Sequence, residues 1–233
     1  MIRILAFVAT LALAAPALAQ EAEPATMGVT GIGEVSLAPD MATLRIGVET
    51  RADSAAAAVA DNNEAAQAII ATVKENGVAA EDIQTANFSV SPVYDETSYQ
   101  RPEGPRIVGY QATNQVVARV RNLDRLPGLL DATVGSGANR IDGLAFGLAD
   151  DTAALDEARR LAVQDARRKA EVYADAAGVQ LGTIRSISET GGGPLPIYDR
   201  AMRAEAAASV PIERGQTTVT ATVQIVWEIR PGS

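Results

Sequence analysis

The residues best placed to do chemistry together lie on a long helical stretch near position 165. Asp165 precedes Lys169 by four residues, so an α-helix brings both side chains to one face, where they form a favourable ion pair. Such a pair works as an acid–base couple only when burial and neighbouring charges tune its pKa values. The spacing therefore predicts a structural ion pair, with a catalytic couple as the alternative.

Histidine and cysteine are both absent from the 233 residues. No imidazole is present for general acid–base work near neutral pH, and Ser-His and Cys-His nucleophilic pairs are excluded. Zinc, copper, haem and iron–sulfur sites lose their usual ligands, and disulfides cannot form. The only lysines are Lys74 and Lys169. We assign no catalytic, cofactor-binding or metal-ligating residue, and we expect no cofactor.

Two pairs of adjacent arginines, at 159–160 and 167–168, lie two turns apart on the same helical stretch. They have the charge to bind an anion, but acidic residues are interspersed with them. A solvated face of mixed charge is therefore the prediction. The acids are Asp156, Glu157, Glu171 and Asp175.

Residues 1–19 have the pattern of an export signal. Arg3 precedes an uninterrupted apolar run, which ends before an A-x-A cleavage sequence at 17–19. The run is too short to span a bilayer comfortably, since about 20 residues are needed. We expect cleavage after Ala19, a disordered leader over 20–26, and a mature periplasmic chain that is not an integral membrane protein.

The balance of charge is acidic, with a formal net charge of −9. A chain without a basic field is a poor partner for nucleic acid, because it cannot neutralise phosphates. Nearly all of the basic residues are arginines, which suit forked pairs with carboxylates at interfaces between subunits. A genome rich in G and C explains the same bias, so both readings stay open.

Alternation of apolar and polar residues predicts strands, and apolar residues at helical spacing predict helices. Helices start at capping residues (Asp53 or Ser54, and Asp150 or Asp151) and end near glycines. The final strand alternates most regularly and should lie centrally in an antiparallel region. The predicted strands cover 27–37, 42–51, 83–94, 107–121, 140–148, 181–189 and 217–229, and the predicted helices cover 55–75, 123–134 and 152–177.

Two helix surfaces carry unusual residues. Asn62 falls on the apolar stripe of the first helix, where a buried amide bonded to nearby backbone is the prediction and a ligand contact is the alternative. The longest helix carries alanine at every fourth position from Ala154 to Ala174, which permits close packing. We expect this ribbon to pack on the sheet of its own subunit, with a contact between subunits as the alternative.

The fold class that follows is α+β, a mixed, largely antiparallel sheet with helices packed on one face. The first two strands are expected to form a hairpin around Pro39-Asp40. A helix–glycine–strand step recurs, which indicates either an internal β-α-β duplication or a common local pattern. The chain divides into the signal at 1–19, the leader at 20–26 and a single domain over 27–233.

Several short motifs, in order along the chain, resemble the SIMPL-domain family, a domain of unknown function (DUF541). The resemblance implies an exported α+β protein that assembles into large rings or channel-like oligomers and protects against oxidative stress. It implies no catalytic residue. The motifs are Val29-Thr-Gly31-x-Gly33, Pro39-Asp40, Gly109-Tyr-Gln-Ala112, Gly137-Ala-Asn-x-Ile141, Phe146, Ala158-x-x-x-Ala162-Val-x-Asp165-Ala-x-x-Lys169-Ala170, Gly178, Gly182 and Pro211-Ile-x-x-Gly215.

The leading hypothesis is a non-enzymatic periplasmic protein that forms homo-oligomers and contributes to oxidative or envelope stress defence. A second hypothesis is a binder of small ligands or peptides that uses the loops at 95–105 and 191–215. A third is a carboxylate-based hydrolase. A large native mass favours the first, a ligand-induced thermal shift in a monomer favours the second, and turnover lost with one acid favours the third.

Overall fold

The structure, a computed structural model, describes residues 24–95, 104–190 and 212–232. Two 3-10 turns, Ala80–Asp82 and Leu123–Arg125, accompany the longer elements. In chain order these are β1 (Thr26–Leu37), β2 (Met41–Ala52), α1 (Ala55–Glu75), β3 (Ile83–Tyr94), β4 (Ile107–Val120), α2 (Leu126–Gly135), β5 (Arg140–Gly147), α3 (Thr152–Ala177), β6 (Val179–Glu189) and β7 (Thr217–Pro231).

The strands form two antiparallel sheets, one with the order β1-β7-β6 and one with the order β3-β4-β2-β5. The α+β class and its antiparallel character are confirmed, but the expected single sheet is two sheets. The expected β1–β2 hairpin is wrong, because β1 pairs with β7 along its whole length. Strand alternation shows which face of a strand is apolar, but it does not show which strand lies beside it.

The three-stranded sheet packs its apolar face against α3. The prediction that the final strand is central is confirmed, since β7 lies between β1 and β6. Every fourth residue of α3 from Ala154 to Ala174 is buried, so the ribbon packs on its own subunit as predicted. Small side chains allow the helix to lie close to the sheet. The core of this layer contains Val29, Ala158, Ala162, Ala166, Ala170, Ala221, Val223, Ile225 and Trp227.

The four-stranded sheet carries α1 and α2 on one face. Ser54 caps α1 by accepting a hydrogen bond from the backbone N–H of Ala57. Ile212 packs against the core of this sheet and Arg214 pairs with Asp124 at 2.6 Å, so the approach to β7 is held to the second layer. The core includes Leu44, Ile46, Val48, Ile69, Val73, Val120, Leu126 and Leu129.

The bounds of the longest elements agree closely with the sequence prediction. The first and last helices occupy the predicted residues, and Gly178 ends α3 in the left-handed conformation, with φ of 66°. The helix predicted over 123–134 begins instead as a 3-10 turn and continues as α2. The leader prediction is wrong at its end, because Thr26 lies in β1 and Ala25 accepts a hydrogen bond from Ile229.

Three sequence predictions fall wholly or mainly outside the described residues. The export signal lies within 1–23, most of the 95–105 loop is at 96–103, and most of the 191–215 segment is at 191–211. These three remain predictions.

Candidate functional site

Asp165 and Lys169 lie on the side of α3 that faces β1. Their side chains form the predicted ion pair, with 2.6 Å between Nζ and Oδ2. The same Oδ2 accepts a hydrogen bond from the backbone N–H of Ile32 at 3.1 Å, and Lys169 donates to the backbone carbonyl of Thr30 at 3.2 Å. The pair therefore binds one backbone N–H group and one backbone carbonyl group of β1.

The electrostatics of this site favour a permanently ionised carboxylate. Lys169, followed by the Ile32 N–H group and Arg168, lowers the pKa of Asp165 from 3.8 to about 2. A group that is ionised throughout the neutral range gives up no proton there, so it is a poor general acid and a weak base. The geometry supports the structural reading of the pair.

The position of the pair has a consequence for the sheet. β1 is an outer strand, and its backbone groups on the free side are a template for pairing with another chain. Asp165 and Lys169 occupy the Ile32 N–H and the Thr30 carbonyl. This stretch of the β1 edge is therefore covered by side chains of the protein's own helix.

Gly31 and Gly33 allow the close contact between β1 and α3. A Cβ atom added at Gly31 would lie 2.0 Å from the carbonyl oxygen of Ala162, and one at Gly33 would lie 2.0 Å from that of Ala158. Any other residue would push the helix off the strand. The glycines at both positions are thus required by packing.

The paired arginines of α3 are neutralised by acids, as predicted. Arg159 bonds Asp156 on its own helix and Glu189 on β6, and Glu189 is the first cause of the raised pKa of Arg159. Each of the others has an acid three or four residues away along the helix. The face is of mixed charge, so nothing there marks an anion site.

The Asn62 prediction of a buried amide bonded to backbone is confirmed. The side chain is fully buried, and its Nδ2 donates to the carbonyl oxygens of Val48 on β2 and Ala112 on β4. One helix residue therefore ties two strands together. Its Oδ1 has no hydrogen-bond partner among the described residues.

Sequence reasoning missed a polar network on the open face of the four-stranded sheet. Glu49 pairs with Arg51 and Arg140, and Arg140 also bonds Asp142. Gln115 donates to Asp142 at 2.6 Å and is the main cause of its lowered pKa. The alternation of β2 indicated a polar face, but the bulge opposite Arg45 and Ile46 that brings in Asp142 left no signal.

A second ion pair was also missed, at the end of α1. Asp82 ends the 3-10 turn Ala80–Asp82, and its carboxylate is buried against Arg121. Arg121 donates through Nε and Nη2 at 2.7 and 2.9 Å, and these bonds lower the pKa of Asp82. The residues are 39 positions apart, so only the pairing of β3 with β4 brings them together.

The described residues contain neither a candidate metal-binding cluster nor a helix suited to spanning a membrane. Residues 24–95, 104–190 and 212–232 contain no cluster of three or more acids, histidines or cysteines suited to a metal ion. Within the same ranges, no helix is both long and apolar enough to cross a membrane.

These features define an α+β protein whose charged side chains mainly hold its own strands and helices in place. The model of the SIMPL family, described as a protein of unknown function (DUF541), matches residues 27–227. The chain therefore belongs to the SIMPL family, and the resemblance seen in the sequence is confirmed.

Curated relatives match most of the chain. The 26 kDa periplasmic immunogenic protein of Brucella melitensis is 34% identical over 233 residues, covering 94% of this chain and 92% of the relative. The uncharacterized protein YggE of Escherichia coli K12 is 32% identical over 211 residues, covering 87% of this chain and 82% of YggE. Neither relative has a name that refers to an enzymatic activity.

Proposed function

We propose that this chain is an exported, non-enzymatic periplasmic protein that works as a homo-oligomer larger than a dimer. The periplasmic location is supported by the pattern of residues 1–19 and by the name of the Brucella relative. The role in oxidative or envelope stress defence rests on the family resemblance. The assembly is supported by the apolar side chains that outer strands of both sheets expose to solvent.

The outer strands β3 and β6 present large apolar side chains to solvent. On β6, Ile184 is 50% exposed and Ile187 is 56% exposed. On β3, Phe88 is 49% exposed and Val90 is 38% exposed. Long apolar edge strands are liable to pair with another chain unless something covers them. β1 has such a cover in Asp165 and Lys169, whereas the apolar side chains of β3 and β6 named above remain exposed.

The register explains why these side chains are uncovered. Ile184 and Ile187 lie opposite Trp227 and Ile225, on the face that carries α3. The helix packs mainly on β1 and β7, however, so the far strand extends beyond it. A second copy placed against β6 would bury these isoleucines and continue the ladder of backbone hydrogen bonds.

Light scattering on the mature chain at micromolar concentration tests the proposal. We expect a mass well above that of a dimer, and replacement of Ile187 or Phe88 by lysine should lower it. Val172→Lys is the matched control, because Val172 is equally exposed but lies on α3. A wild-type mass near 22 kDa, at roughly 0.1 kDa per residue, would refute the assembly.

The forces that hold the assembly together predict how its native mass responds to reductant and to salt. Without cysteine the contacts must come from apolar burial and from Arg–carboxylate pairs. The native mass should therefore survive reductant and fall somewhat in high salt where charged pairs contribute. A ligand-induced thermal shift in a chain that stays monomeric would instead favour the ligand-binding hypothesis.

A further inference from the structure

A cleft of about 290 Å³ opens where α1 ends and β4 leaves the four-stranded sheet. One wall is the turn after α1, where Gly77 has a φ of 87°. The opposite wall is the end of β4 and the 3-10 turn Leu123–Arg125 that follows it. Three arginines line the cleft: Arg119, Arg121 and Arg125.

The first arginine is already neutralised. Arg121 forms its two-pronged contact with Asp82, whose side chain is only 5% exposed. Because the carboxylate is buried and satisfied by this contact, the pair forms a fixed, nearly neutral part of the cleft wall. Arg121 is therefore part of the wall, and the free positive charge lies elsewhere.

The other two arginines have unpaired side chains among the described residues. The guanidinium groups of Arg119 and Arg125 donate no hydrogen bond there and form no ion pair, although the charge of Arg119 helps to lower the pKa of Asp82. The guanidinium of Arg125 lies against the turn, because a Cβ atom added at Gly77 would lie 2.6 Å from its Nη1. Glycine thus leaves room for the guanidinium to lie against the turn.

The charge of the cleft is opposite to that of the protein. Three guanidinium groups share it with two carboxylates, Asp82 and the exposed Glu81. The whole chain carries a formal charge of −9. The arginines of α3, outside the cleft, are paired with acids. A cleft with surplus positive charge in an acidic protein attracts anions locally, without general binding of polyanions.

We propose that this cleft binds a small oxyanion, a carboxylate or phosphate group, between Arg119 and Arg125. Guanidinium groups present planar forks of N–H donors that match both kinds of oxyanion. A volume of about 290 Å³ lies at the small end of the range for ligand sites, so the anion is of the size of phosphate or citrate. The inference is independent of the proposed assembly and uses different residues.

Isothermal titration of the mature chain with citrate, and separately with inorganic phosphate, tests the proposal at low ionic strength. We expect saturable binding to at least one anion. The anion that binds more tightly shows whether the cleft favours carboxylate or phosphate groups. Arg119→Gln and Arg125→Gln should each weaken binding about tenfold or more, as expected for a lost charged hydrogen bond. Circular dichroism of each variant verifies that it is folded.

Arg230→Gln is the matched control. Arg230 is exposed on β7 and does not line the cleft. Its replacement by glutamine changes the net charge by the same amount as the two cleft variants. Equal weakening by all three variants would mean a response to net charge alone and would overturn the proposal. Absence of saturable wild-type binding to both anions would overturn it as well.

Arg125→Lys separates fork geometry from charge. Lysine keeps the positive charge but loses the planar pair of donors, so we expect weaker binding than in the wild type. Affinity equal to the wild type for this variant would contradict a forked contact at Arg125. Because the side chain of Arg125 bonds no other residue in the described part of the chain, the variant should fold normally.

Discussion

Asp165 on α3 accepts a hydrogen bond from the backbone N–H of Ile32 on β1, at 3.1 Å, across 133 residues of sequence. Lys169 completes the contact by bonding both Asp165 and the carbonyl of Thr30. The helix thus holds the outer strand by its backbone and covers part of its free edge. Residues with the spacing of an acid–base couple serve here to place and protect a strand.

Asp165→Asn should destabilise the protein at neutral pH by about 1–2 kcal/mol, the range for a partly exposed hydrogen bond to a charged group. The pKa of Asp165 is lowered in the folded state from 3.8 to about 2. Its contribution is therefore fully present above the unfolded value and is lost as pH falls through the window between them. Urea unfolding at a series of pH values measures this.

The difference in stability between wild type and Asp165→Asn should shrink as pH falls from about 4 to about 2. Asp175→Asn is the control, because this acid lies on the same helix and makes no ion pair among the described residues. A difference that stays constant across this pH range would show that the ionised carboxylate does not stabilise the fold.

Ala166→Arg should be severely destabilising. Ala166 is fully buried in the middle of the ribbon, and a Cβ at Gly31 would already lie 2.7 Å from its own Cβ. Overpacking together with a buried charge should cost more than about 3 kcal/mol. Thermal melting measures the effect, and an unchanged midpoint would mean that this part of α3 does not pack on the sheet.

Gly31→Ala and Gly28→Ala form a matched pair on β1. The added methyl group at Gly31 meets the backbone of α3 at 2.0 Å, whereas at Gly28 its nearest neighbour is a side-chain carbon 3.8 Å away. Gly31→Ala should therefore cost about 3 kcal/mol or more by overpacking, and Gly28→Ala little. Chemical denaturation compares them, and equal stabilities would disprove the close contact.

Asn62→Leu should cost about 2–4 kcal/mol, since it leaves the carbonyl groups of Val48 and Ala112 without their side-chain donor. Asn63→Leu is the control, because the neighbouring amide is exposed on the outer face of α1. Urea unfolding should separate the two variants clearly. If both unfold like the wild type, the bridge between β2 and β4 carries no net stability.

The mature N-terminus should be Gln20. The apolar run that ends in Ala17-Leu18-Ala19 is the basis for this prediction. Intact-mass analysis of protein from the periplasmic fraction measures it. Retained Met1, or protein recovered from the cytosol alone, would contradict the export prediction.

Local chemistry determined the helices, which is why the sequence predicted them well. Ser54 accepts a backbone hydrogen bond at the start of α1, and Gly178 adopts the left-handed conformation that ends α3. These interactions form within one or two turns, so neighbouring residues specify them. The buried ribbon and the Asp165–Lys169 pair follow from helical periodicity in the same way.

Tertiary structure alone decided how the strands pair and where the cleft lies. The alternation of residues in β1 and β2 fixed the apolar face of each strand. The two strands are consecutive in sequence, but they lie in different sheets. Asp82 meets Arg121, and Arg125 meets Gly77, only because β3 pairs with β4 and the turn Leu123–Arg125 folds back towards α1. Contacts between distant residues depend on the packing of the whole chain, which no local pattern encodes.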